Sequence, residues 1–279
     1  MKASVEPQPG NAILAGLGAV LSGFVIAGAA VPLYLLAKQS ISPELETFAW
    51  PPSWLPHRAT LAHFAAIFAV TELRDGVIRS LLVAVATGIA ATAFGAMLAY
   101  SMTRGGLGRR AGFATLSGVR LLPMITVAIP LGMILSALGL SDSPSAMGLA
   151  AVHTAIAIPT AALTLYAAFM AIPVEVEEAA WMDGASPLRI FLSIDLPMVR
   201  GSLATAFILC FILSWDEFGF ALLLQQTNRT LPPLLYYYTV FGNVGPASAL
   251  ALLMLLPAIA LIVALGSTLR DTLMSSGYR

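Results

Sequence analysis

Long apolar stretches separated by short polar ones dominate the chain. Six run at about 12–37, 80–103, 113–138, 146–172, 202–224 and 247–269, each near or above the ~20 residues an α-helix needs to cross a bilayer core. The pattern predicts an all-α, polytopic membrane protein with six transmembrane helices, forming a single transmembrane domain over 1–279. The first stretch carries no charge over its whole length, which exceeds the ~7–15 residues of a signal-peptide core. Although Ala27-Gly28-Ala29 has the small residues of a cleavage site, the length predicts a retained helix. An even number of spans places both termini on one side, and Lys/Arg placement selects the side. Lys2, Arg104, Arg109, Arg110, Arg189, Arg200, Arg270 and Arg279 lie on one side, against Lys38, Arg58, Arg74, Arg79 and Arg229 on the other. Both termini are therefore expected in the cytoplasm, with external segments at 38–79 and about 225–246 and one long cytoplasmic connection at about 173–201.

Composition agrees. Apolar residues make up 58% and charged residues 10%, against roughly 45–50% and about 25% in soluble domains. Fourteen basic and fourteen acidic residues cancel, so no net field favours nucleic acid. The single cysteine, Cys210, excludes an intrachain disulfide and a cysteine zinc site. His57, His63 and His153 match no metal-ligand spacing. His57 and His63 read as surface loop residues and His153 as a packed helix residue. Neither lysine, Lys2 or Lys38, stands in a Gly-x-x-x-x-Gly-Lys-Ser/Thr setting, so the chain is not its own P-loop ATPase. It also has no Gly-x-Ser-x-Gly elbow and no His-Glu-x-x-His helix; no catalytic residue or metal site is expected.

The cytoplasmic connection carries the most local information. Pro173 opens a helix, and Glu175, Glu177 and Glu178 put negative charge in its first turns, where the helix dipole favours it. Gly184 ends it in a left-handed conformation. Ser186 as N-cap and Pro187 at the first position start a second short helix. There Leu188, Phe191 and Leu192 recur at helical spacing until Pro197 breaks it. That spacing predicts an apolar side against the membrane bundle, leaving Glu178, the alanines and Asp183 to a partner.

Glu178-Ala179-Ala180-Trp181-Met182-Asp183-Gly184-Ala185, followed by Phe191, Ile194, Leu196 and Pro197, resembles the EAA motif of ABC-importer permeases, Glu-Ala-Ala-x-x-x-Gly with its downstream Ile-x-Leu-Pro. The resemblance covers nearly the whole chain and is strongest to the carbohydrate-uptake branch, the permeases similar to the second membrane subunit of maltose-type importers. Pro51-Pro52-Ser53-Trp54-Leu55-Pro56 resembles that branch's Pro-Pro-x-Trp-x-Pro stretch. Ala99-Tyr100, Leu122-Pro123-Met124, Ile172-Pro173, Ser214-Trp215-Asp216-Glu217-Phe218 and the small-residue ending Ser275-Ser276-Gly277 are similar to its landmarks in order. Asp216 stands where the branch has Asn, and Arg79 where Asn precedes the Ser-Leu of the second helix.

The resemblance implies a bacterial or archaeal inner-membrane permease that pairs with a second homologous permease, two ATP-binding-cassette subunits and a periplasmic or lipid-anchored substrate-binding protein. ATP and Mg would be bound by the partner ATPase, with no cofactor in this chain. Glu178, Ala179, Ala180, Asp183, Gly184 and Ala185 are then the ATPase-coupling residues. Trp215, Asp216 and Glu217 would border the translocation path, or Asp216 and Glu217 would form an internal ion pair with Arg120 or Arg79. Tyr236, Tyr237 and Tyr238 would contact the binding protein or belong to an interfacial aromatic belt. A sugar, glycoside or polyol is the expected cargo. Polyamines, organic acids and glycerol phosphate are the alternatives, and an ion-coupled secondary transporter is a more distant one.

Overall fold

The computed structural model describes residues 9–104, 109–121 and 124–276. These form α-helices and one π-helical turn, with no strand among the described residues. In chain order the helices are α1 (Pro9–Ile41), α2 (Glu44–Thr47), α3 (Ala62–Ala69), α4 (Thr71–Arg104), α5 (Arg109–Arg120), α6 (Met124–Ala137), α7 (Met147–Met170), α8 (Val174–Met182), α9 (Pro187–Ile190), α10 (Leu196–Met198), α11 (Arg200–Trp215), α12 (Gly219–Leu224), α13 (Leu231–Val240) and α14 (Val244–Ser276). The π-helical turn occupies Phe191–Asp195. Contacts divide the chain into two bodies: residues up to 66 with 238–253, and residues 67–237 with those from 254 onward.

In the first body, the stretch Gly16–Ile41 of α1 is long and apolar enough to cross a membrane, and its most apolar window buries nothing. A helix apolar on all sides and bare in the isolated chain is suited to lipid or to another subunit. Past that window, Ser40 and Ser42 are buried, and the His63 ring bonds the Ser42 carbonyl at 2.9 Å through Nε2. Gly245 makes room for that ring, since a Cβ there would lie 2.3 Å from Nε2 of His63.

The second body is organised by α4, α7 and α11. A bilayer offers no hydrophobic drive between helices, so close approach depends on small residues. They are present: Ala91, Ala96 and Ala99 of α4 and Ala157, Ala161 and Ala162 of α7 are all buried in one cluster with Ala206 and Cys210 of α11. Gly95 marks the tightest crossing, where an added Cβ would sit 2.5 Å from the Ala161 Cβ. A second cluster gathers Val83, Ala128, Leu149, Val152, Phe220 and Leu224.

Three departures from the expected spans have physical causes. First, α4 starts nine residues before the second apolar stretch. Its 34 residues rise about 50 Å, against a hydrocarbon core of about 30 Å, so the polar turns holding Glu72, Arg74, Asp75 and Arg79 extend past the core. Second, the third stretch is two helices, α5 and α6, instead of one. Pro123 disfavours helical geometry in the residue before it; Leu122 and Pro123 themselves lie outside the described residues. Third, the fifth stretch breaks between Trp215 and Gly219 into α11 and α12.

Alongside Gly16–Ile41, the segments Thr71–Arg104 and Met147–Met170 are long and apolar enough to cross a membrane. Pro187–Met198 and Arg200–Trp215 pass the same test only as a pair bent by 80°.

Candidate functional site

The connection after α7 folds as its residue chemistry predicts. Pro173, extended at ψ 133°, precedes the first turn of α8. At the other end Gly184 adopts φ +79°. Gly184 N donates to the Trp181 carbonyl at 2.9 Å and Ala185 N to the Ala180 carbonyl at 3.0 Å, the paired bonds of a Schellman end. Ser186 then caps α9, its hydroxyl accepting from Arg189 N, with Pro187 in the first turn. The result is a helix-turn-helix whose tip is bare. Glu178, Ala179, Trp181, Met182, Asp183 and Gly184 are exposed, and Ala180 and Ala185 half-buried.

Two expectations about the second short helix need correction. Phe191 packs on the bundle as expected, beside the buried Ile190, whereas Leu188 is 65% and Leu192 53% exposed. Pro197 also does not end the helical path. The wide turn at Phe191–Asp195 absorbs the lost N–H and ring bulk, and Pro197 enters the first turn of α10.

Beneath α8 lies a set of buried polar groups. Arg104, at the last turn of α4, donates from Nε to Glu177 Oε1 at 2.7 Å and from Nη2 to the carbonyls of Ile172 at 3.0 Å and Phe169 at 3.3 Å. One guanidinium thus ties α8 to α4 and to the end of α7. Asp195 is wholly buried; among the described residues no hydrogen bond of good geometry reaches its oxygens, and the Tyr100 hydroxyl is the donor that interacts with it. Burial, with the charge of Glu177, pushes its carboxyl above the ordinary range, against the opposing influence of Tyr100 and Arg104.

The helix break at Asp216 forms a second polar site. Glu217 is buried and accepts from Phe220 N at 2.9 Å and Ala221 N at 3.0 Å, satisfying the free donors that start α12. Its Oε2 lies 3.1 Å from His153 Nε2 on α7. The other ring nitrogen of His153 is 2.7 Å from the Ser214 hydroxyl, which donates to Thr87 Oγ1 at 3.3 Å. Four helices, α4, α7, α11 and α12, are pinned at the break by one connected network, and His153, read from the sequence as a packed helix residue, is its centre.

Of the two arginines weighed as the partner of Glu217, Arg79 does not fill that role. Arg79 donates to the Arg229 carbonyl at 2.8 Å and the Pro144 carbonyl at 3.1 Å; the side chain of Arg120 lies outside the described residues. Trp215 is buried. It stacks on Phe211 with ring centroids 5.8 Å apart and donates to the Met254 carbonyl at 3.1 Å.

Asp216 is exposed instead. With Phe218, Leu213, Ile156 and Gly219 it lines an open cavity of about 440 Å³, bordered by Glu217. No basic side chain is salt-bridged to Asp216 among the described residues.

Near the expected external end, Asp142 accepts from Thr227 N at 3.0 Å, Asn228 N at 2.9 Å and the Thr227 hydroxyl at 2.5 Å. Burial opposes its charge, yet the hydrogen bonds from Asn228 and Thr227 hold it below the ordinary carboxylate range. The tyrosine run falls in α13. Tyr236 is exposed and meets Phe218 edge to face, and Tyr237 lies under the Arg229 guanidinium at 4.2 Å. Tyr238 is half-buried.

Residues 91–273, which carry the helix-turn-helix and both polar sites' principal groups, match the family described as binding-protein-dependent transport system inner membrane component. The chain belongs to this family. It is a multi-pass permease subunit of an ABC importer and not itself an enzyme.

This permease is 32% identical over 209 residues to the inner membrane ABC transporter permease protein YcjP of Escherichia coli, covering 72% of this chain and 73% of that one. It is 28% identical over 248 residues to the sulfoquinovosyl glycerol transport system permease protein SmoH of Agrobacterium fabrum, at 88% and 86% coverage. It is 31% identical over 214 residues to the trehalose transport system permease protein SugB of Mycobacterium tuberculosis, at 76% and 77%. Its fold is that of a chain in the crystal structure of a bacterial ABC transporter involved in the import of the acidic polysaccharide alginate. The TM-score there is 0.75 at 19% identity, covering 95% of this permease and 99% of that chain.

Sequence reasoning missed Arg104, Asp195 and Phe218 as site residues, and undervalued His153. A usable signal existed for one pair. His153 and Glu217 interrupt two separate apolar stretches, and polar groups at such depth generally need each other.

Proposed function

We propose that this permease carries a sugar or glycoside across the inner membrane as one of two permease subunits forming a pore, driven by two ATP-binding-cassette subunits and supplied by an external binding protein. Both termini and the helix-turn-helix at 173–199 lie in the cytoplasm. Six crossings are made, with α5–α6 and α11–α12 each crossing as a broken helix. The observation that carries the reading is the exposed, Gly184-turned helix-turn-helix. Its tip is exposed among the described residues while its base is anchored through Glu177 and Ile190, an arrangement suited to a groove on an ATPase. The alanines permit close approach, Glu178 offers a carboxylate to a basic group, and Gly184 fixes the angle between the two helices. ATP with Mg would be held wholly by that partner.

The cargo assignment rests on relatives named for sulfoquinovosyl glycerol, trehalose and melibiose/raffinose/stachyose transport. The cavity beside the helix break suits it: Asp216 accepts hydroxyl hydrogen bonds and the Phe218 ring offers an apolar face. Glu217 and Trp215 act behind it, holding the break in shape. The exposed Tyr236, with Tyr237 and Tyr238, presents an aromatic surface for the binding protein. The uncompensated carboxylate of Asp216 supports a second reading, a cationic cargo such as a polyamine.

A thermal-shift screen of the associated binding protein separates the two readings. Stabilisation by a neutral sugar or glycoside, growing with ligand concentration, supports the first. Stabilisation by polyamines alone replaces it with the second. Uptake of the identified cargo by Asp216→Asn then tests the path. Reduced uptake with unchanged assembly is expected, and uptake equal to wild type removes Asp216 from it.

A further inference from the structure

Between the C-terminal half of α4 and the N-terminal half of α11, an open groove of about 750 Å³ runs along the second body. One wall is a stripe on α4: Ile89, Ala93 and Met97 are four residues apart and all exposed. Residues at that spacing stack on one helix face and span about 12 Å. On α11, Ala204 and Ile208 repeat the spacing as the opposite wall. The two helices approach closely beside it, since a Cβ at Gly88 would lie 2.8 Å from the Phe207 ring. Leu192 and Leu196 close the end where α11 begins, on the segment that meets α11 at 80°. Thr92 is the single polar side chain of the lining, and its hydroxyl is shut off from the groove surface. Walls of this kind offer a sugar no hydrogen bond, so the groove is not a cargo site.

Positive charge gathers at the closed end. One turn back along the α11 stripe stands Arg200, exposed and in no ion pair among the described residues. Helical side chains lean toward the N-terminus of their helix, so its guanidinium leads out of the apolar groove. Arg189, three residues before Leu192, is likewise exposed and without an ion pair. No side chain caps α11 at Val199, which leaves the positive end of a 16-residue helix at the same place. Asp195 is the one acidic residue between Gly184 and Trp215, and it is buried.

We propose that this groove seats an acyl chain of an anionic phospholipid from the cytoplasmic leaflet, with its phosphate held by Arg200 and Arg189 where α11 begins. From that end α11 runs into the bilayer, so the chain lies along the groove and the head group at the surface, as a lipid is oriented. Basic sites between membrane helices on the cytoplasmic side suit anionic head groups. A crossing helix of another subunit fits less well, because it must continue toward the cytoplasm through the transverse segment that carries Leu192 and Leu196. The inference rests on the proposed orientation of the chain.

The test uses the whole complex, purified through a tag on this chain and placed in phosphatidylcholine nanodiscs. A trace of phosphatidylglycerol or phosphatidylcholine with a photoreactive group in one chain is added, and labelled peptides are mapped by mass spectrometry. Label from phosphatidylglycerol is expected on 89–97 and 203–208. Phosphatidylcholine should label there about fivefold less or weaker still, from the attraction of one arginine near an anionic head group. Arg200→Gln should lower phosphatidylglycerol labelling toward the phosphatidylcholine level, and Arg200→Lys should keep most of it. Ala93→Trp, which fills the groove from an exposed position, should remove label from both lipids. Inorganic phosphate should not displace the label, because the chain supplies the apolar part of the binding.

Equal labelling by the two lipids overturns the proposal, as does wild-type labelling in Arg200→Gln. The arginine variant carries the test if Ala93→Trp fails to assemble. A cross-link from Met97→Cys to a second permease subunit also overturns it, because the groove is then a subunit interface. Labelling needs neither ATP nor cargo, so its failure leaves the importer reading standing; absence of an ATPase from the purified complex would fail that reading and not this one.

Discussion

Gly184→Val perturbs the coupling turn at one point. Gly184 adopts φ +79° with nothing within 4 Å of the position a Cβ would take, so the substitution causes no clash in the isolated chain and acts through the backbone alone. A non-glycine residue in the left-handed region costs roughly 1–2 kcal/mol, and β-branching adds to that. Relaxing the strain opens the turn and gives up the Gly184–Trp181 and Ala185–Ala180 bonds, each worth about 0.5–1.5 kcal/mol. Those bonds favour the closed turn in wild type and variant alike, so the shift is the strain alone, about 1–2 kcal/mol before β-branching, and at one decade per ~1.4 kcal/mol the correctly angled turn is depleted about tenfold.

The bundle lies elsewhere and should be untouched. Membrane insertion and detergent stability are therefore expected to match wild type while ATP-coupled uptake is lost. Uptake into right-side-out or reconstituted vesicles loaded with ATP, scored beside co-purification of the ATPase, measures both. Gly184→Asn, a residue that tolerates left-handed geometry, should retain much of the uptake. Wild-type uptake by the valine variant would refute the assignment of the turn as a rigid joint.

Four further outcomes are expected. Glu178→Lys reverses an exposed charge at the same surface and should reduce the ATPase recovered with the chain, with unchanged recovery counting against the contact. His153→Leu strips the buried Glu217 carboxylate of its ring partner, and a hydrogen bond to a charged group is worth about 1.5–3 kcal/mol; a melting temperature equal to wild type would show that the network does not hold the break. Gly95→Val drives a side chain into Ala161 and the Ala162 backbone, where overpacking costs about 1–3 kcal/mol or more, so a stable variant would contradict the close α4–α7 crossing. Because hydrogen bonds depress the folded-state pKa of Asp142, its contribution is present above the unfolded value and lost as pH falls through the folded one. Wild-type stability should therefore fall in acid more steeply than that of Asp142→Asn, and parallel acid curves would oppose this.

What was legible in the sequence was local. The helix-turn-helix could be placed because Pro173, Gly184, Ser186 and Pro187 each act on their own backbone, and such preferences survive any tertiary context. The break in the fifth span was not legible. Apolar character continues on both sides of Asp216, and the cap that Glu217 provides depends on backbone N–H groups freed only once the helix has ended. The partner of Glu217 was equally hidden, because His153 is 64 residues away and charge alone favoured an arginine. Leu188 and Leu192 misled because helical spacing indicates an apolar face without saying whether it meets the bundle, lipid or another subunit. Arg104 stood out only as the end of an apolar stretch, since the carbonyls and the carboxylate it gathers come from a different part of the chain.

The central claim is that this permease works as part of an ATP-driven importer through its exposed helix-turn-helix. The most direct measurement is purification of the tagged chain from its native membrane in mild detergent, with identification of the proteins that accompany it by mass spectrometry. A P-loop ATPase and a second permease subunit are expected, both diminished in parallel preparations of Gly184→Val or Glu178→Lys. Recovery of the chain alone, together with ion-gradient-driven uptake that persists without ATP, would contradict the account.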